Sequence, residues 1–389
     1  MHNFTNHLPT KIIFGQGTVS QLVPELQRAG IDKVLLLTGG NSVFASGVYD
    51  TITNMLQEAG ISFESVTGVQ PNPRLSKARE AVNAARKSQA QAIVPIGGGS
   101  VFDSSKVIAG SAGSGHDIWD IITQKQSITR ALPIFGVLTL SGTSSEINDM
   151  AVITNEETNE KRATAHPLLY PAVSIVDPSL QYTVPLQQVR YGGFDTIVHV
   201  LESYLSSNDT AGIITEHAES YIRRVMSCLA ALPEKLMDYD TRAELTFCAT
   251  YAFSGWCSLG RAKRGDFSTH RIGHGLSALY DMPHGVTLSI ILPNWMEYVL
   301  EKGLNQDVFS RFATKVLNVP ETATDPAREG IAALRAFIRS LEMPVCLRDA
   351  GLTEKDIPAL AENVVNTLPF GAVIPMDSAS ITAILKKAL

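Results

Sequence analysis

The sequence predicts an α/β domain built on a parallel sheet, followed by an all-helical domain. Three observations predict it. Short, continuous apolar runs alternate with helix-compatible stretches through the first half of the chain. Glycine-rich turns follow several of those runs. After about residue 183 such runs become scarce and long helical segments replace them. With 389 residues the chain is long for one layered core, so two domains are the default. The cut is expected near Thr183–Pro185, giving 1–183 and 184–389. No internal repeat or low-complexity linker separates the two, so they are expected to pack closely around a cleft.

The elements follow in order. IIFGQGTV opens the chain, and Gly15–Gln16–Gly17 reads as a hairpin turn. KVLLLT (33–38) is a strand ending at Gly39–Gly40, and Ser46 to Ala59 has helical spacing. ISFESV (61–66) is a strand, 76–89 a helix, and AIVPI (92–96) a strand closed by Gly97–Gly99. SVFDSSKVIAG then starts a helix. PIFGVLTL (133–140) and VSIVD (173–177) are further strands. Beyond the boundary, 186–207, 211–231, 241–259, 306–317, 326–341 and 376–388 are helix-compatible.

Composition narrows the function classes. Hydrophobic residues make up 44% and charged residues 18%, which describes a globular protein. The net charge of −6 and the lack of a Lys/Arg run argue against a nucleic-acid surface. Cys228, Cys248, Cys257 and Cys346 show no CxxC spacing and read as reduced thiols. MHNFTNHLPTK lacks the apolar core of a signal peptide, and VTLSIILPNW is too short and polar to span a membrane. A cytoplasmic location without membrane or nucleic-acid partners is expected.

IVPIGGGSVFDSSK (93–106) places three glycines between a strand and a helix. Glycines let backbone N–H groups approach an anion, and the helix N-terminus favours negative charge. Ser100 can cap that helix or bond a phosphate oxygen. TGGNSV (38–43) follows the first long strand, where dinucleotide enzymes read the adenosine ribose. An NAD-preferring loop usually carries a carboxylate there. This one offers only Gly39, Gly40, Asn41 and Ser42, which suits the extra 2′-phosphate of NADP.

GGFDTIVHVLESY (192–204) puts Asp195 and His199 four apart, on one helical face. STHRIGHGLSALYDMPHG (268–285) adds His270, His274 and His284. Asp195, His199 and two of those three histidines would form a one-oxygen, three-nitrogen site suited to Fe²⁺ or Zn²⁺.

These two stretches resemble the signature regions of the iron-containing alcohol dehydrogenase family. IGGGSVFDSSK and LTLSGTSSE resemble its cofactor loops. MHNFTNHLPTKIIFGQG with TGGNSV resembles its NADPH-dependent butanol dehydrogenase and aldehyde reductase subgroup. The likeness runs over nearly the whole chain and loosens in the last third. It implies the dehydroquinate synthase-like fold of that family: a dinucleotide-binding α/β domain and a helical metal-binding domain. The implied activity is reversible hydride transfer between NADP(H) and a primary alcohol or aldehyde, in a homodimer, with the metal as Lewis acid.

The resemblance also assigns roles. It implies Asp195, His199, His270 and His284 as metal ligands, and His274 as a catalytic residue beside the nicotinamide and substrate. Gly97, Gly98, Gly99 and Ser100 would cradle the pyrophosphate. Asn72, Asp103, Thr139, Leu140, Thr143, Lys161 and Thr183 match positions along the cofactor, and Lys106 completes the D-x-x-K after the glycines. One departure stands out. The common TTAGTGSE is TLSGTSSE here, so Leu140 removes a hydroxyl and Ser144 replaces a glycine. RAKRGDFS, before His270, reads as a solvated loop. The main competing expectation is a lyase like the dehydroquinate synthases, since Arg261, Lys263, Arg264 and Arg271 lie near the metal stretch. A metal hydrolase would leave the two glycine-rich loops without purpose. A non-catalytic binding protein fits least, because the ligand set and both loops are intact.

Overall fold

KVLLLT, ISFESV, AIVPI and the two later apolar runs become parallel strands in the computed structural model, which describes residues 1–206 and 212–389. The strands are β1 (Lys11–Phe14), β2 (Lys33–Thr38), β3 (Ser62–Val66), β4 (Ala92–Gly97), β5 (Phe135–Leu138), β6 (Met150–Asn155), β7 (Glu160–Ala165) and β8 (Val173–Val176). Six form one all-parallel sheet in the order β1-β8-β5-β4-β2-β3, and β6 with β7 forms a separate antiparallel hairpin. β2 shows why its run is continuously apolar. Val34 and Leu36 pack on one face with Ile52 and Leu56, and Leu35 and Leu37 pack on the other with Ala81 and Val107. Both faces are covered, so neither can be polar.

Two expectations change. Gly15–Gly17 is not a hairpin turn, because β1 pairs parallel with β8, which arrives some 160 residues later. The chain instead turns into a short 3-10 segment, Thr18–Gln21, and the N–H of Gly17 donates to Asp177 Oδ2 at 2.7 Å. The β6–β7 hairpin was not visible in the sequence. Its second strand, EKRATA, hides its alternation behind charged residues.

The chain folds into two compact units that are not two successive lengths of sequence. One comprises His7–Val189 and Leu232–Ser254. The other comprises Met1–Asn6, Arg190–Ala231 and Gly255–Leu389. The second is helical: Leu186–Tyr204, which begins just before it, then Gly212–Lys235, Ser268–Tyr280, His284–Glu301, Gln306–Lys315, Pro326–Ser340, Ile357–Val365 and Ser378–Lys387. The expected helix ends at 207 and 211 lie outside the described residues. The helix Tyr239–Ala252 belongs with the sheet unit, where Arg242 donates to the carbonyl of Gln181 at 2.8 Å. Among the described residues, no helix is long and apolar enough to cross a membrane.

A buried polar knot fixes the hairpin to the sheet unit. Lys106, fully buried in the helix Gly99–Ser114, donates to Ser145 Oγ, Asn148 Oδ1 and the Met150 carbonyl at 2.8, 2.9 and 2.7 Å. Burial pulls its pKa down to about 8, against the pull of Asp103. Removing the ammonium leaves three buried acceptors and one carboxylate uncompensated. Lys106→Met is therefore expected to cost about 3 kcal/mol of stability in urea denaturation. Adding Asp103→Asn should return part of that loss, whereas additive losses would mean the two groups are uncoupled.

Candidate functional site

The helix Leu186–Tyr204 carries Asp195 and His199 one turn apart on the same face. Oδ1 of Asp195 lies 3.5 Å from His199 Nδ1, 3.6 Å from His270 Nε2 and 3.8 Å from His284 Nε2. One carboxylate oxygen thus faces three imidazoles. Ligand atoms of Asp195, His199 and His270 all lie within 4.8 Å of one another, and His284 joins them through Asp195. His270 comes from the helix Ser268–Tyr280, and His284 is the first residue of the helix His284–Glu301. The next residue, Gly285, permits the convergence. A Cβ there would lie 2.4 Å from the Tyr191 carbonyl oxygen, so a larger residue would push the His284 helix off the Asp195 helix.

The electrostatics ask for a cation. Asp195 Oδ1 and His270 Nε2 are buried and have no hydrogen-bond partner among the described residues. Leaving such atoms unsatisfied is costly. On its other side, His270 Nδ1 lies 2.7 Å from Glu202 Oε1, so Nδ1 holds the proton there and Nε2 turns toward Asp195. Glu202 is fixed in turn by the Phe267 N–H, which donates to Oε2 at 2.5 Å. Burial lowers the His270 pKa, but the carboxylates of Asp195 and Glu202 facing its ring outweigh that and raise it to about 9.

A metal ion fits this arrangement. Two atoms each about 2.1 Å from a tetrahedral ion sit about 3.4 Å apart, close to the separations around Asp195 Oδ1. The donor set, one carboxylate and three imidazoles, suits iron or zinc. His284 has a side chain 22% exposed, against 5–9% for Asp195, His199 and His270, so it marks the accessible side.

His274 is one turn beyond His270 and is buried. Its ring centre is 5.4 Å from that of His284, while His270 and His284 are 5.2 Å apart. The imidazoles therefore run in a row, with His274 beside the more exposed His284.

The sheet unit gathers most of the candidate cofactor residues at the C-terminal ends of β2, β4 and β5, where open α/β sheets bind ligands. Gly97 ends β4, Gly98 precedes the helix Gly99–Ser114, and Ser100 lies in its first turn. Gly98 packs on Leu140 and Gly99 on Thr143. A Cβ on Gly99 would fall 2.4 Å from Thr143 Oγ1. The Thr139 N–H donates to the Gly97 carbonyl at 3.0 Å. Gly39 lies against Val101, and Gly40, Asn41 and Ser42 are exposed beyond it. Asn72 and Lys161 are both buried and joined by a 2.7 Å hydrogen bond. Thr183 is exposed past β8. Asp103 accepts from Ser145 Oγ at 2.6 Å and from the Val152 N–H at 2.9 Å, so both its oxygens already serve the polar knot. Burial raises its pKa above the ordinary carboxylate value.

The stretch RAKRGDFS is not simply a solvated loop. Lys263 and Arg264 are exposed, but Arg261 is buried, bonded to Thr215 Oγ1 and the Cys257 carbonyl. Asp266 is buried and accepts from the N–H groups of Ser268, Ala372 and Val373. It thereby anchors the start of the helix that carries His270.

Comparison with known proteins decides the family. The description "Iron-containing alcohol dehydrogenase" matches residues 9–178, and "Fe-containing alcohol dehydrogenase family, C-terminal" matches residues 189–389. The chain belongs to the iron-containing alcohol dehydrogenase family. The probable NADH-dependent butanol dehydrogenase 1 of Bacillus subtilis (strain 168) is 38% identical, with 100% of both chains covered. The NADPH-dependent aldehyde reductase YqhD of Escherichia coli (strain K12) is 33% identical over 94% of this chain and 93% of its own. The crystal structure of NADH-dependent butanol dehydrogenase A from Thermotoga maritima shares 43% identity at a TM-score of 0.96, covering 100% of this chain and 99% of that one.

As a member of this family, the chain is an alcohol dehydrogenase or aldehyde reductase. The lyase-like alternative is not favoured. Its cationic cluster is also dispersed, since Arg261 is committed to Thr215 and Lys263 donates to the Ala372 carbonyl. Glu202 is the site residue that sequence reasoning missed. The signal was present: Glu202 follows Asp195 by seven and His199 by three, on the same helical face. A carboxylate that orients a metal-binding histidine typically contributes 10–100-fold in metal affinity. Glu202→Gln is accordingly expected to weaken Fe²⁺ or Zn²⁺ binding by about that factor in a chelator competition. Unchanged affinity would reduce Glu202 to a packing role.

Proposed function

We propose that this alcohol dehydrogenase or aldehyde reductase is a divalent-metal enzyme that transfers a hydride between NADP(H) and primary alcohols or aldehydes. The observation that carries the proposal is the buried Asp195 oxygen, facing three imidazoles with no hydrogen donor. Asp195, His199, His270 and His284 would hold the ion, iron or zinc. Bound there, it supplies Lewis-acid chemistry, polarising a carbonyl and lowering the pKa of a substrate hydroxyl.

The chain's own residues do the rest. Glu202 holds the Nδ1 proton of His270 and thereby aims Nε2. Gly97–Ser100 present backbone N–H groups and a helix N-terminus to the pyrophosphate. Thr139, Leu140 and Thr143 form a wall on those glycines, and Asn72, Lys161 and Thr183 would complete the cofactor surface. His274, beside the accessible His284, would move the proton that the substrate oxygen gains or loses. NADP(H) is favoured by the loop 38–43, which has no carboxylate to repel a 2′-phosphate. Its Gly40 also opens onto free space. Four cysteines outside any disulfide fit a cytoplasmic setting.

The test is direct. Metal-free protein is loaded with Fe²⁺ or Zn²⁺ in parallel, mixed with butanal and NADPH or NADH, and followed by loss of nicotinamide absorbance. Metal-dependent turnover is expected, with kcat/KM about tenfold higher for NADPH than for NADH. Parity between the cofactors, or an advantage for NADH, removes the NADP assignment. No turnover with either metal removes the proposal. His274→Ala is expected to lower kcat about 100-fold with metal content retained by elemental analysis. Unchanged kcat across the pH range would take His274 out of proton transfer.

A further inference from the structure

Ser144 occupies a backbone conformation that serine rarely adopts. Its φ is +53°, in the left-handed region where a Cβ is disfavoured and glycine is the usual occupant. It is also fully buried. A strained, buried residue persists only where its surroundings over-determine it, and here the surroundings are visible. The Ser144 hydroxyl donates to the Ala249 carbonyl at 2.6 Å and accepts from the Phe253 N–H at 3.0 Å. Those are two backbone groups at the C-terminal end of the helix Tyr239–Ala252, one turn apart, where helices leave carbonyls unsatisfied. The hydroxyl thus closes the end of that helix from outside. The Ser144 carbonyl is held too, accepting from Asn148 Nδ2 at 2.9 Å and from the Ile147 N–H at 3.1 Å.

The residues on either side are what this anchor positions. Thr143 presses on Gly99, the first residue of the helix behind the glycine loop, and its Oγ1 accepts from the Ser145 N–H at 3.2 Å. Ser145 is clamped by Asp103 and Lys106. A loop pinned at 144 and 145 leaves Thr143 one position against the glycines. A second tie runs from the same helix to the same loop: Arg242 holds the Gln181 carbonyl, and Gln181 Oε1 accepts from Ser141 Oγ at 3.0 Å.

We propose that Ser144 is a positioning residue for nicotinamide dinucleotide binding. Its side chain latches the 139–145 loop to the end of the 239–252 helix, so that Leu140 and Thr143 rest on the glycine loop in a preset position. The inference rests on the reading of Thr139, Leu140 and Thr143 as the cofactor wall. It adds a residue whose side chain points away from the glycine loop, toward the helix end.

The experiment uses full-length protein and two variants. Ser144→Gly accepts the positive φ and removes both hydrogen bonds. Ser144→Ala removes the bonds and keeps the conformational penalty. Dissociation constants are measured by calorimetry for NADPH and for ADP-ribose, which shares the pyrophosphate but lacks the nicotinamide. Both variants are expected to bind NADPH and ADP-ribose about fivefold more weakly, the scale of one lost hydrogen-bonded contact, because both ligands carry the pyrophosphate that the glycine loop receives. If Ser144→Ala does not fold, Ser144→Gly alone decides, because glycine is unstrained at this φ. No weakening for either ligand, or weakening for NADPH alone, overturns the latch. Failure of the parent protein to bind NADPH would instead overturn the cofactor reading beneath it.

Discussion

One buried oxygen organises the helical unit. A carboxylate out of water needs donors or a cation, and Oδ1 of Asp195 has no donor. What it has is three imidazoles at 3.5–3.8 Å. Two neutral imidazole lone pairs and a carboxylate oxygen do not stabilise each other, so the arrangement is stable only around something positive. Against burial, the carboxylates of Asp195 and Glu202 raise the His270 pKa to about 9, so positive charge is favoured there. A divalent ion would satisfy all four groups together.

Building such a centre requires three helices to meet within a few ångströms, and the sequence shows how each is brought in. Asp195, His199 and Glu202 line one face of a single helix, which places two proposed ligands and the carboxylate that orients His270 at 3.6-residue spacing. The helix carrying His270 is started by Asp266, which gathers backbone N–H groups from its own first turn and from Ala372 and Val373. The helix carrying His284 begins at that histidine itself, and Gly285 lets its start lie on the Tyr191 backbone. A change at Asp266 or Gly285 would shift the proposed ligands without touching them, because their positions depend on where these helices begin.

Much of this was legible in the sequence, and the gaps have physical causes. The central strands were readable because a sheet covered on both faces must be apolar throughout, as Val34–Leu37 are. β1 was misread because a four-residue edge strand gives little periodicity, and its partner β8 lies far along the chain. The hairpin strand EKRATA was hidden because Lys161 is buried against Asn72, so a charged residue occupies an inward position. Asp195 and His199 could be paired from spacing. Which two of the three later histidines join them could not, since that depends on how two helices dock across the turn at Asp281–Pro283. Buried Arg261 and Asp266 in RAKRGDFS were misjudged for the same reason: their partners, Thr215, Ala372 and Val373, are distant in sequence.

The helix Tyr239–Ala252 shows a different kind of constraint. It lies inside the second half of the sequence yet packs with the sheet unit, and two of its ties to that unit are buried and polar. Arg242 reaches the Gln181 carbonyl and Ser144 reaches the Ala249 carbonyl, both from fully buried positions. Buried polar contacts of this kind are poor at adding net stability but effective at fixing one geometry, because any other register leaves the same groups unpaired. The glycine turn proposed to hold the cofactor needs that property. Its glycines have no side chains to hold a shape, so the loop resting on it helps to supply one. That loop is fixed on one side by Asp103 and Lys106, and on the other by a helix borrowed from later in the chain.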